Sequence, residues 1–246
     1  MKKIMLTASF AIASFVFAAN TISLDTNKTA SAVITPAPAP SPNTTSSEFS
    51  TASELYSSLH LEEGGMKPQV FDLAIKGFNK LFNAGKLNNT NKITIIDFSQ
   101  PSTEKRLYVI DLDKKQILFQ SLVSHGSGTG TLWAKSFSNR AKSYKSSPGF
   151  YVTGETYTGG NGYSLRLDGV ESGINDNARN RAIVMHGADY ANQSTIGSLG
   201  FLGRSQGCPA LPLSLHKPVI NTIKNGTCLF IYTPDKSYLQ RSEFLS

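Results

Sequence analysis

The chain has 246 residues and a formal net charge of +7, enough length for one sizeable domain or two small ones. The positive balance contains no run of Lys and Arg and no basic stripe interleaved with aromatics. Composition therefore argues against a nucleic-acid partner and leaves a mild bias towards anionic surroundings.

The N-terminal quarter is unlike the rest. Lys2 and Lys3 lead into an apolar run over residues 4–17, followed by the small residues Ala18 and Ala19. A charged start, a short apolar centre and a small-residue exit predict a secretory signal peptide over residues 1–19, and no Cys follows it to carry a lipid anchor. Residues 20–50 are mostly Thr, Ser, Ala, Pro and Asn and include Pro36-Ala37-Pro38-Ala39-Pro40-Ser41-Pro42. Such a stretch buries too little apolar surface to order itself and reads as a disordered tether. The expectation is an exported protein of the periplasm or cell wall, with no membrane span once the signal is removed.

Residues 51–90 are expected to form an N-terminal helical cap: a short helix within 52–61 and a longer one over 68–84. Phe71, Ala74, Ile75, Phe78, Leu81 and Phe82 recur on one face at the helical period, with Pro68 in the first turn and Gly85 just past the end. From residue 91 to 246 the pattern changes. Segments 92–98, 106–111 and 116–124 are rich in Ile, Val, Leu, Tyr and Phe, with Asp111-Leu112-Asp113-Lys114 as a turn between the last two. Further strands are expected at 149–154, 163–167, 181–186 and 227–232, and a late helix within 214–224 stopping at Asn225-Gly226. The predicted fold is mostly β, a β-sandwich or partly open barrel, with the helical cap and the late helix as decoration. The run Gly126-Ser127-Gly128-Thr129-Gly130 lacks the Lys of a phosphate loop and precedes no helical pattern, so it reads as a mobile loop after a strand.

Two stretches hold the reactive side chains. A thiol becomes a nucleophile when a nearby imidazole takes its proton and amide donors await the developing oxyanion. Cys208 follows Gly207, which has no side chain and lets a substrate carbonyl approach the N–H groups of Gly207 and Cys208. Pro209 disfavours helical backbone at Cys208. His186 ends the apolar run Ala182-Ile183-Val184-Met185 and precedes Gly187, a strand end that delivers an imidazole to the rim of a sheet. Cys228 leaves a disulfide with Cys208 open by count alone. Asp189, Ser205 or a backbone carbonyl are candidates to orient His186. Tyr163, Arg166 and His125 are further candidates for the cleft, although Tyr163 and Arg166 share a strand face only if the register slips. His60 and His216 read as structural or solvated, and no cluster has metal-ligand spacing.

His186-Gly187 together with Ser205-Gln206-Gly207-Cys208 resembles the signature of the YkuD-like L,D-transpeptidase catalytic domain. Ser147-Pro148-Gly149-Phe150, the stretch from Gly162 to Gly169, and Arg204 through Pro212 resemble its murein L,D-transpeptidase subgroup, over roughly residues 92–233. The resemblance implies a cysteine-dependent enzyme acting on peptidoglycan stem peptides without a cofactor or metal, with Cys208 as nucleophile and His186 as base. The residues themselves offer oxyanion donors at Gly207 and Cys208, and Arg204, Ser205, Gln206 and Gly187 are candidate substrate contacts. Two positions depart from the family pattern: Gln206 stands where His is commoner, and Ala210 where a polar Arg or Asn is commoner. Arg204 is a candidate to replace the lost contact. Water in place of an acceptor amine would make an L,D-carboxypeptidase, and loss of activity a wall-binding module. A papain-like peptidase fits poorly, because those place Cys before His.

Overall fold

The computed structural model describes residues 52–246, so the expected signal peptide and tether lie outside the described residues. Two helices come first, α1 (Ala52–Ser58) and α2 (Pro68–Asn83). Eight strands follow: β1 (Lys92–Asp97), β2 (Leu107–Asp111), β3 (Gln116–Ser121), β4 (Gly149–Gly159), β5 (Gly162–Gly169), β6 (Val184–Gly187), β7 (Ala210–Leu211) and β8 (Cys228–Tyr232). Helices α3 (Gln193–Leu199) and α4 (His216–Ile223) flank β7, and α5 (Lys236–Arg241) follows β8. No helix among the described residues is long and apolar enough to cross a membrane.

All the strands join one sheet in the order β3-β2-β1-β8-β4-β5-β6-β7. Its two ends approach one another. Past β3, Ser124 N donates to Ala210 O at 2.9 Å, and Gly126 bridges Ser205. The sheet is therefore a nearly closed barrel, decorated by few helices, in agreement with the mostly β expectation.

Period-two alternation divides the core. On β8, Cys228, Phe230 and Tyr232 face outward into a cluster with Phe71, Ala74, Phe78 and Leu81 of α2. Leu229 and Ile231 face inward with Leu165, Leu167, Met185, Ile220 and Cys208. The two cysteines thus sit in separate clusters, and both are free thiols. Helix α2 lies so close to the sheet that a side chain on Gly77 would run into the Phe150 ring. Phe82, expected on the packed face, is instead largely exposed, stacked on Phe78 with ring centroids 6.5 Å apart. Helix α4 ends before Asn225 and Gly226, both at positive φ (66° and 96°), the left-handed stop read from the sequence.

The Gly126–Gly130 loop, expected to be mobile, makes backbone bonds of its own. Gly128 N donates to Tyr144 O and Thr129 N to Gly126 O, each at 2.8 Å, and Gly126 packs against Gly207.

Candidate active site

Strand β6 carries His186 to its end, and the parallel register of β6 with β7 pairs His186 with Ala210. That register sets Cys208, two residues upstream of Ala210, beside Val184. The Val184 N–H donates to Cys208 Sγ at 3.5 Å, and the thiol donates to Ala182 O at 3.7 Å. Cys208 and His186 line one cleft of about 740 Å³ together with Arg181, Tyr190, Arg204 and Gln206.

The nucleophile turn is held from inside. Ser205 Oγ donates to Cys208 O at 2.6 Å and accepts the Gly207 N–H at 3.0 Å. The second bond bears on the expected oxyanion donors: the Gly207 N–H is already engaged, which leaves the Cys208 N–H as the remaining donor of the pair. Gly207 has φ +126°, and an added Cβ would stand 2.8 Å from Lys145 O and 3.0 Å from Ile183 Cδ1, so only glycine suits the turn.

Nδ1 of His186 lies 3.0 Å from Gly187 O. A carbonyl only accepts, so Nδ1 carries the proton and Nε2 the lone pair. Neither Asp189 nor Ser205 is needed for this orientation; the backbone supplies it. Gly187 in turn lets the His216 ring pack where a Cβ would meet its Nδ1 at 2.5 Å, and His216 Nδ1 is anchored on Leu213 O at 2.9 Å. Burial pushes the His186 imidazole below its ordinary value, and the charge of His216 adds to this against the pull of the Gly187 carbonyl. Burial pushes the Cys208 thiol up, against the Val184 N–H and the charge of Arg181. Both shifts favour a neutral thiol beside a neutral imidazole over a resting ion pair.

Other expected contributors lie elsewhere. Tyr163 and Arg166, three apart on β5, point to opposite faces. Tyr163 Oη donates to Asn221 Oδ1 at 2.7 Å in a separate groove, and Arg166 pairs with Glu155 at 3.0 Å beneath a Tyr157 ring at 4.4 Å. His125 is buried behind the site, with Nδ1 2.7 Å from Arg106 Nη2 and Nε2 3.2 Å from Gly130 O. Burial, with the Arg106 charge, pushes it down to about 4. Its carbonyl nonetheless accepts the Ser205 N–H at 3.0 Å and so steadies the turn from below.

Sequence reasoning missed Arg181, Lys142, Tyr144 and Tyr190 on the cleft wall. Only Arg181 gave a signal, its place at the entrance to the strand that ends in His186. With Arg204, the wall carries three cations and no Asp or Glu.

Fold and site define a mostly β domain in which a thiol and an imidazole share a cationic cleft. The sequence model of the L,D-transpeptidase catalytic domain matches residues 62–232, and the chain belongs to that family. Among solved structures it is similar to an L,D-transpeptidase from Mycobacterium smegmatis, with 12% identity over 58% of this chain and 59% of that one and a TM-score of 0.36. It is similar to an L,D-transpeptidase from Stackebrandtia nassauensis, with 15% identity over 66% and 65% and a TM-score of 0.36. For the helical cell shape determining protein Pgp2 from Campylobacter jejuni the values are 14%, 65% and 57%, with a TM-score of 0.40. The match thus spans less than two thirds of each of these chains. No curated protein matches the chain.

Proposed function

We propose that this domain is a cysteine-dependent peptidoglycan L,D-transpeptidase, attacking the amide before the terminal D-Ala of a tetrapeptide stem through a thioester acyl-enzyme. The observation that carries the reading is the shared cleft of Cys208 and His186, with the His186 lone pair left on Nε2.

In this mechanism Nε2 takes the thiol proton as Sγ attacks the stem carbonyl. The Cys208 N–H donates to the oxyanion, and the Gly207 N–H joins it when Ser205 Oγ releases it. The intermediate collapses, the C–N bond breaks, His186 returns the proton to the departing D-Ala amine, and a thioester remains. An amine of a second stem then attacks the thioester, gives its proton to His186 and leaves as the amide of a cross-link, and the thiol is restored. Water as acceptor gives the carboxypeptidase outcome. Cations at Lys142, Arg181 and Arg204 suit a carboxylate-bearing stem, and the leader over residues 1–19 would bring the domain to the wall.

The test is muropeptide analysis after incubating the protein with tetrapeptide-containing peptidoglycan, beside Cys208→Ala. New dimers that depend on Cys208 support the transpeptidase. Tripeptides alone mean hydrolysis. No Cys208-dependent change would overturn the enzymatic reading in favour of a wall-binding module, the alternative that Gln206 and Ala210 keep open.

A further inference from the structure

Arg181 is the cleft residue whose bonding the proposed reaction does not explain. Its guanidinium donates to Ser138 O at 2.8 Å, Ser147 Oγ at 2.5 Å, Lys145 O at 2.6 Å and Ser143 Oγ at 3.3 Å. Every one of these partners is neutral. Arg166 and Arg179 differ, Arg166 pairing with Glu155 and Arg179 with both Glu155 and Asp168, whereas Arg204 on the same wall as Arg181 is exposed and donates to the Ser127 and Gly130 carbonyls. A guanidinium drawn partly out of water without a carboxylate is costly, and four neutral acceptors solvate the charge without cancelling it. Burial accordingly pulls Arg181 down from its usual value.

Two anionisable groups face this charge, Tyr151 and then Cys208. Tyr151 is buried, donates its hydroxyl proton to Ser147 O at 2.9 Å and is pushed well above its ordinary value, which leaves Cys208 as the one that ionises in the cleft. The residue after Arg181, Ala182, is turned to φ 55°, and its carbonyl accepts the Cys208 thiol. The loop that Arg181 grips also grips the nucleophile turn: Ser146 Oγ donates to Gly207 O at 3.0 Å, and Lys145 O crowds Gly207. The other titratable groups around the sulfur are His186 on β6, Tyr190 after it, and Lys142, Tyr144 and Arg204 on the cleft wall. Tyr190 is pushed up to about 12, by burial and then by negative charge at Cys208. Arg181 and the Cys208 thiol each bear on the other's charge, as Arg181 and Tyr151 also do.

We propose that Arg181 is a positioning residue whose uncancelled guanidinium is the counter-charge for the Cys208 thiolate, held in place by the neutral cradle of the 138–147 loop. The cradle keeps the cation from being neutralised before the sulfur loses its proton. The catalytic meaning of the pairing rests on Cys208 being the nucleophile of the proposed reaction; the pairing of charges itself needs only the Cys208 thiol.

The test is the pH dependence of Cys208 alkylation by iodoacetamide in the full chain, with Cys208→Ala as the background and thermal melting as the check on folding. Arg181→Gln moves the alkylation curve to higher pH, roughly tenfold slower at pH 7 with the high-pH limit unchanged, the size expected when one nearby opposite charge is lost. The double variant Ser143→Ala with Ser147→Ala removes the two hydroxyl acceptors but leaves the Ser138 and Lys145 carbonyls to hold the guanidinium, so its curve stays near the wild type. A folded Arg181→Gln protein whose curve coincides with the wild type overturns the proposal. So does a double variant that moves as far as Arg181→Gln, because the role would then be structural. Should Arg181→Gln not fold, Arg181→Lys is read instead: with the charge kept, its curve stays within about threefold of the wild type, and a larger shift overturns the proposal. Alkylation needs no stem peptide. A chain without turnover on peptidoglycan but with the expected shift therefore retires the transpeptidase reading and leaves Arg181 standing, and turnover without the shift does the reverse.

Discussion

Gly207→Ala probes the nucleophile turn most directly. The turn is pinned on both sides, by Gly207 N to Ser205 Oγ and by Ser146 Oγ to Gly207 O, each at 3.0 Å, so an alanine cannot relax to negative φ without giving up these bonds. Remaining at φ +126° costs an L-residue about 1–3 kcal/mol. Pushing Lys145 O and Ile183 Cδ1 away from the new Cβ adds about 1–3 kcal/mol. Together the loss is about 2–6 kcal/mol, which in a domain of this size lowers Tm by roughly 4–24 °C. The strain also moves Cys208, and a misplacement near 1 Å costs about 100-fold in rate. Thermal melting by circular dichroism and a stem-peptide turnover assay measure the two effects. A Gly207→Ala protein that melts with the wild type and turns over at full rate would refute the account of the turn.

Four further outcomes follow from the structure. His186→Gln should lower kcat by roughly 100- to 10,000-fold with Tm preserved, as for loss of a general base, and a full rate would remove His186 from the mechanism. His186 must be neutral to accept a proton and is held below its ordinary 6.5, so kcat/KM should rise with pH along an acid limb whose midpoint lies below pH 6.5; a midpoint at or above 6.5 in the pH profile contradicts this. Burial raises Glu171 above its ordinary 4.5, opposed by donors from Ser242 Oγ, Phe150 N and Tyr238 Oη. Its contribution to stability is therefore full below pH 4.5 and lost as pH rises through the raised folded value, so Glu171→Gln should flatten that part of a Tm-against-pH series. Gly77→Ala gains about 1 kcal/mol of helix propensity but drives a methyl into the Phe150 ring, where overpacking costs about 1–3 kcal/mol; denaturant unfolding should show a net loss.

Much of the sheet was legible because its strands alternate or run continuously apolar, and residues such as Ile93, Ile95, Phe230 and Ile231 leave no helical alternative. Helix α2 was legible for the same reason at a different period. Helix α3 was not: none of its residues is buried, so it has no apolar stripe. Its signs were local ones, the Asn192 side chain capping Thr195 N and Gly200 stopping the helix at φ 76°. Strand β7 is two residues long, below what alternation can register. At the site, Cys208 and His186 stood out through residue type and glycine neighbours, which are local signals. Arg181 and the His186–Gly187 carbonyl bond depend on how distant segments fold together, and no spacing in the chain encodes them. Tyr163 and Arg166 show the limit from the other side, since three-residue spacing on a regular strand forces opposite faces.

The resting bonds of Cys208 bear on how the proposed reaction begins. The thiol donates to Ala182 O, and the His186 Nε2 lone pair stands in the same cleft with its tautomer already set. A buried neutral thiol is a poor nucleophile until its proton moves, and burial raises the cost of the thiolate on its own. A long sulfur bond to one carbonyl is weak compared with the proton transfer that replaces it, so the thiol can leave Ala182 without unfolding the turn. What must not move is the sulfur's backbone, and Ser205, Ser146 and the His125 carbonyl each hold it from a different side. The division is between a mobile proton and a fixed frame. Substrate binding then has to supply only the electrophile and the exclusion of water, after which the positive wall of Lys142, Arg181 and Arg204 favours the charge that develops on sulfur and on the oxyanion.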